Sequence, residues 1–141
     1  MSDANDFDWS QFLSIAQSLC RLPLTGPAPQ LEAFQRVAVS RAYYAAFAVA
    51  RNYLRDIELG IASPDPFDSV GLSPSDNVHR AVARSFLRST SASRVGIGTE
   101  LARLRVARNQ CDYDNQVAGL SALTEDSLRR AAELLAEIDR L

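Results

Sequence analysis

Arg108, Asn109, Asp112 and Tyr113 stand together in this sequence as side chains able to do chemistry. Arg108 and Asp112 are four residues apart, and so are Asn109 and Tyr113, so on a helix all four share one polar facet. An arginine presents a planar fork to phosphate oxygens, an asparagine both donates and accepts, and an aspartate accepts from a sugar hydroxyl. The same spacing also suits an ion pair within the helix, Arg108 to Asp112, with Tyr113 half-buried beside it. A second group lies in Ser40-Arg41-Ala42-Tyr43-Tyr44-Ala45-Ala46-Phe47. Arg41, Tyr44, Ala48, Arg51 and Arg55 follow one another at steps of three and four, which places them on one helix face, with Tyr43 on the opposite, core side. His79 is the single imidazole of the chain, next to arginines at 80, 84 and 88.

The charge follows these groups. The chain has 141 residues and a formal net charge of −2. Residues 33–55 hold four Arg and no acid, and residues 77–111 hold seven Arg against one Glu, so the two stretches carry +4 and +6 and the remainder −12. All the Lys and Arg are Arg, which a GC-rich genome explains; it does not explain where they sit. A local basic cleft on an acidic body fits a single phosphate chain better than a DNA surface at large.

Several chemistries are excluded or weakened. Cys20 and Cys111 have no metal-ligand spacing and one His cannot complete a zinc site, so neither metal nor cofactor is expected. Gly96-Ile97-Gly98 does not follow a strand and reads as a hinge or turn, not a phosphate-cradling loop. A Ser–His–Asp triad would rest on His79, which has no evident orienting carboxylate. The acidic N-terminus is neither a signal nor a transit peptide, and the run Ala42–Ala50 is too short to span a bilayer, so a cytoplasmic protein without membrane contact is expected.

The elements that must position these residues are helices. The length suits one domain over 1–141, and 47% hydrophobic residues suffice for a core. Trp9, Phe12, Leu13, Ala16, Leu19 and Cys20 make one apolar stripe, predicting a helix from about Trp9 to Arg21. Pro23, Gly26, Pro27 and Pro29 break the chain before a long helix, about Gln30 to Leu59, with a core face of Val39, Tyr43, Ala46, Phe47, Ala50, Leu54 and Ile57. A loop follows over Gly60–Ser73. Ser73 caps and Pro74 opens a third helix reaching about Arg88, with Val78, Val82 and Phe86 inward and Arg80, Arg84 and Arg88 outward. After a flexible Ser89–Gly98 stretch, Thr99 caps a fourth helix, Glu100 to about Tyr113, with Leu101 and Leu104 in the core. Asp114–Leu120 reads as a turn or a broken helix. Thr124 caps the last helix, with a Leu123–Leu128 staple, a buried stripe of Leu128, Ala131, Leu135 and Ile138, and an Arg129–Glu133 surface pair. The expected fold is all-α, a four- to five-helix up-and-down bundle with no strand.

Ser-Arg-Ala-Tyr-Tyr-Ala-Ala-Phe at 40–47, His79 with Phe86 on the next helix, and Arg-Asn-x-x-Asp-Tyr-Asp at 108–114 resemble the small standalone HEPN proteins from about residue 30 onward. The resemblance implies a HEPN-like helical bundle, often a homodimer. It implies a metal-independent endoribonuclease of toxin–antitoxin or defence systems, paired with an antitoxin of nucleotidyltransferase-like or other type. Arg108 matches the family's motif arginine and Asn109 the polar residue after it. Where the family carries its histidine this chain has Tyr113, Asp114 and Asn115, a pattern that looks like a distinct HEPN branch. A tyrosine titrates near 10 and is a poor base at neutral pH, so His79 entering the same cleft is the natural replacement. In this reading Arg108, Asn109, Asp112 and Tyr113 are the catalytic group. Arg41, Arg51, Arg105 and His79 hold RNA, with Tyr44 or Tyr113 stacking on a base. The alternatives are a non-catalytic module binding RNA, a nucleotide or a partner protein through the same facet, and a structural dimer knitted by Arg108 and Asp112.

Overall fold

A computed structural model of the chain describes residues 6–21, 28–59 and 77–141. Five α-helices pack together: α1 Gln11–Arg21, α2 Ala28–Tyr53, α3 Asn77–Leu87, α4 Ala92–Tyr113 and α5 Leu120–Asp139, with a π-helical extension of α2 over Leu54–Leu59. There is no strand among the described residues, and the expected all-α bundle is what forms. None of the helices is long and apolar enough to cross a membrane, among those residues. The loop over Gly60–Ser73, the Ser73–Pro74 helix start and the breakers Pro23, Gly26 and Pro27 lie outside the described residues.

Helix α2 is the hub, packing against α1, α4 and α5. It is alanine-rich, so neighbours approach on nearly every side, and Ala38, Ala42, Ala45, Ala46 and Ala50 are fully enclosed. A helix apolar nearly all round belongs inside, and Ala48, expected on the outward stripe, is buried too. The helix begins two residues earlier than expected and takes Pro29 into its first turn, where a missing N–H costs nothing. Of its predicted core face, Val39, Tyr43, Ala46, Phe47, Ala50 and Leu54 are buried, whereas Ile57 is 60% exposed. Ile57 falls in the π-helical extension, whose wider winding turns it off the core face.

At the N-terminus, α1 starts at Gln11, not at Trp9. The Asp8 carboxylate accepts from the Ser10 backbone N–H (3.0 Å) and from the side chains of Ser10 (2.6 Å) and Gln11 (3.1 Å), so Trp9 and Ser10 form the turn that opens the helix. Those hydrogen bonds hold the Asp8 carboxyl below its ordinary range. Leu13 and Ala16 of the predicted stripe are buried, and Cys20 is exposed.

The larger departures are in α4 and α5. Helix α4 begins at Ala92, so the expected flexible stretch is mostly helix and Thr99 lies inside it, its hydroxyl donating to Val95 O at 2.9 Å. Gly98 is a packing residue here. A Cβ on it would sit 2.7 Å from Leu87 Cγ and 2.8 Å from Ala83 O, so its missing side chain lets α3 cross α4 closely. Helix α5 begins at Leu120 after Gly119, which adopts a left-handed φ of 63°. Thr124 is therefore interior, donating to Leu120 O at 2.7 Å. Leu123 packs on the Val39–Ala107–Cys111 cluster and Leu128 on the main core, so they form no staple. Ala131, Leu134 and Ile138 are the buried stripe of α5, with Leu128 and Leu135 packed against its edge.

A candidate nucleic-acid cleft between α2, α3 and α4

Three helices bring the predicted groups together. Tyr43 and Tyr44 come from α2, His79 from the first turn of α3, and Arg105, Arg108 and Asn109 from the last third of α4. A cleft of about 580 Å³ is lined by Tyr44, His79, Arg105, Arg108, Asn109 and Tyr113, six of the nine residues singled out by sequence. Asp114 and Gln110 complete its rim.

Arg108 is the anchor. It is only 7% exposed, with its guanidinium carbon 5.2 Å from the Tyr43 ring centre and 5.4 Å from that of Tyr44. Two aromatic faces are attractive surroundings for a cation. Its Nη1 stands 3.6 Å from Asp112 Oδ2, a loose pair one helical turn on, and its Nε is buried without a hydrogen-bond partner. A buried donor without an acceptor costs about 1–3 kcal/mol, so the arginine is held by ring faces and one carboxylate more than by hydrogen bonds. The ion pair weighed from spacing therefore exists, and Tyr113, expected half-buried in that case, is 74% exposed at the mouth of the cleft.

His79 is fixed by aromatic neighbours. Its Nδ1 lies 2.5 Å from Tyr43 Oη, and its ring stacks on Phe47 at 4.1 Å between centres. Burial pushes the Tyr43 phenol well above its ordinary pKa, with Arg108 and Arg105 pulling it part of the way back, so it stays protonated. Tyr43 Oη can thus accept from Nδ1–H both in the Nδ1-protonated neutral ring and in the charged one, which makes Nε2 the nitrogen that takes up a proton. The ring keeps its position in both protonation states.

The remaining predicted residues lie elsewhere. Asp112 and Arg41 face a separate groove of about 650 Å³ between α2 and α4, beside Arg36 and Ser40. There Ser40 donates to Asp112 Oδ2 at 3.5 Å and Arg41 Nη2 donates to Ser40 Oγ at 3.4 Å. Arg41 also lies over Tyr44, 4.9 Å from the ring centre, so Tyr44 forms a shared wall. Arg51 is not at the cleft: it lies over Trp9 at 5.5 Å and Phe47 at 5.8 Å and donates to Asn52 Oδ1 at 3.2 and 3.1 Å.

Two residues escaped the sequence reading. Tyr43 is core, as its place on α2 implies, and yet its hydroxyl holds the imidazole. Arg36 donates to the carbonyls of Cys111 (3.0 Å), Asp114 (2.7 Å) and Asn115 (3.3 Å), pinning the end of α4 from which Asn109 and Tyr113 project. The carbonyls left over at a helix end need such donors, but a partner 75 to 79 residues away leaves no local signal. A larger groove, about 780 Å³ between the start of α4 and the end of α5, holds Glu100, Glu133 and Glu137 but no imidazole. Among the described residues no group of three or more His, Cys, Asp or Glu is placed to hold a metal ion.

No protein-family profile matches the chain, and no curated protein or solved structure matches it.

Proposed function

We propose that this chain is a HEPN-type protein acting on RNA, and that the cleft between α2, α3 and α4 is a metal-independent endoribonuclease site. One observation carries the reading: His79 lines the same cleft as Arg108 and Asn109. The imidazole that the Arg-Asn-x-x-Asp-Tyr-Asp motif lacks is supplied from a different helix. His79 accepts the proton of a ribose 2′-hydroxyl as its oxygen bonds to phosphorus. The bond from phosphorus to the 5′ oxygen breaks, and a proton is returned to that oxygen. The products are a cyclic 2′,3′-phosphate end and a 5′-hydroxyl end. Arg108 and Arg105 stabilise the charge that builds on the phosphoryl oxygens. Asn109 orients the phosphate, Asp112 steadies Arg108, and exposed Tyr113 offers a face to a base.

The test is cleavage of single-stranded RNA in EDTA. Wild-type protein is expected to produce cyclic-phosphate ends, Arg108→Ala to slow cleavage by about 10²–10³-fold, and His79→Ala by about 10²–10⁴-fold. Wild-type cleavage by His79→Ala would falsify the assignment. In cells the same reading predicts growth arrest that depends on Arg108, relieved by an antitoxin, and a homodimer by sedimentation.

The burial of Arg108 favours a second reading, a module that binds RNA or a nucleotide without cutting. Salt-sensitive binding with no product bands, weakened in Arg108→Ala, distinguishes it.

A further inference from the structure

Arg80 and Arg84 on α3, with Arg88 in the turn just after it, form a stripe that the cleft itself does not use. All three are exposed, and among the described residues none of their side chains makes a hydrogen bond or ion pair. No acid occurs from residue 77 to residue 99. Like charges four residues apart on a helix repel one another by about 0.2–0.5 kcal/mol per pair, and no acid among the described residues pairs with the stripe to offset this. The stripe also borders a groove. A space of about 470 Å³ between α3 and α4 is lined by Arg80, Arg84 and Leu87 on one wall and by Arg105 and Asn109 on the other. This groove and the cleft share His79, Arg105, Val106 and Asn109, so the two are continuous. Four residues of α-helix rise about 6 Å, a step comparable to that between successive phosphates of an extended single strand.

We infer that the α3–α4 groove is the second half of the substrate track, and that its ligand is single-stranded RNA several nucleotides long. The phosphates on one side of the reacting position run along Arg80, Arg84 and Arg88, while Arg105 and Arg108 hold the phosphate in the cleft. This inference rests on the RNA reading of the cleft. A groove between two packed helices admits one strand and its backbone. A positive groove that tracks the backbone, with an exposed aromatic at one end, is how single strands are held without sequence readout.

The experiment is binding of a fluorescent twelve-nucleotide 2′-O-methyl RNA, which cannot be cut, across a series of salt concentrations. Each phosphate contact on a single strand contributes about 0.7 to the slope of log K against log salt. Arg84→Ala/Arg88→Ala is expected to reduce the slope by about 1.4 and to leave binding of a 2′-O-methyl dinucleotide unchanged, while Arg84→Lys/Arg88→Lys keeps the wild-type slope. An unchanged slope in the alanine variant, with wild-type binding intact, overturns the α3 track and leaves the cleft reading standing. Equal or tighter binding of a blunt RNA duplex overturns it, and so does polyglutamate bound with the affinity and slope of RNA, which would mark the stripe as a surface for an acidic protein. Failure of wild-type protein to bind either RNA overturns the track and the RNA reading together.

Discussion

The arginines of α3 and α5 are alike in type and helical setting and differ in every other respect. On α5, Arg129 pairs with Asp126 at 2.6 Å and Glu133 at 3.4 Å, Arg130 with Asp126 at 2.6 Å and Glu100 at 2.5 Å, and Arg140 with Glu137. Each is satisfied inside the molecule, and Arg130 also ties α5 to α4. Arg80 and Arg84 on α3, and Arg88 just past its end, have no such partners among the described residues, and Arg80 and Arg84 line a groove. Base composition accounts for arginine in both places. Only the placement of acids separates them, and it divides the bundle into a self-neutralised face and a face with cations in reserve.

Gly98→Ala is the strongest way to break this contrast. The new Cβ would meet Leu87 Cγ at 2.7 Å and the Ala83 carbonyl at 2.8 Å, and backbone cannot swing aside as a side chain can. Forcing α3 away from α4 is expected to cost about 1–3 kcal/mol, seen as a lower urea midpoint. It also spreads the groove that the α3 arginines border, while the α5 ion pairs are untouched. A variant of wild-type stability would mean that α3 does not cross α4 closely.

What could be read from sequence divides along a similar line. The 3.6-residue stripes of α2, α3 and α5 mark helices where helices are, and of the four residues whose spacing implies one facet Arg108, Asn109 and Tyr113 line the cleft while Asp112 faces the neighbouring groove. Those are local properties. The starts of α4 and α5 were misplaced because Thr99 and Thr124 resemble caps, and a threonine hydroxyl bonds the carbonyl four residues back equally well inside a helix. Gly98 resembled a hinge because the helix it must let past lies elsewhere in the chain. Arg51 and Arg108 sit at comparable places in basic stretches, yet one lies over Trp9 and the other over the tyrosine pair. Only the packing of α2 decides which arginine meets the histidine.

Opposite signs sharpen the comparison further. Arg130→Ala removes hydrogen-bonded ion pairs to Asp126 and Glu100 and is expected to lower stability by about 1 kcal/mol. Arg84→Ala removes two like-charge pairs at four-residue spacing, with Arg80 and with Arg88, and is expected to raise stability by about 0.5 kcal/mol. Urea titrations at low salt measure both. Raising the salt concentration to about 1 M, where the Debye length falls to about 3 Å, should shrink the gain from Arg84→Ala more than the loss from Arg130→Ala, whose partners are partly shielded. Equal signs for the two variants would remove the distinction between the faces.

The smallest effect is expected in acid. Hydrogen bonds from Arg130 and Arg129 hold the Asp126 carboxyl below its ordinary range. Its folded pKa is therefore lower than its unfolded value of about 3.9. The pairing stabilises the protein fully above that unfolded value and is lost as pH falls through the folded one. Asp126→Asn should cost about 0.5 kcal/mol at neutral pH and flatten the fall of stability below about pH 4. Asp8 and Asp56, whose carboxyls are also held low by hydrogen bonds from Ser10 and Arg55, leave a residual slope in that variant. Helix α3 has no carboxylate to protonate, so acid weakens the α5 face and leaves the α3 arginines as they are. An Asp126→Asn profile parallel to wild type would show that the α5 pairs contribute nothing, and the two faces would then differ in geometry alone.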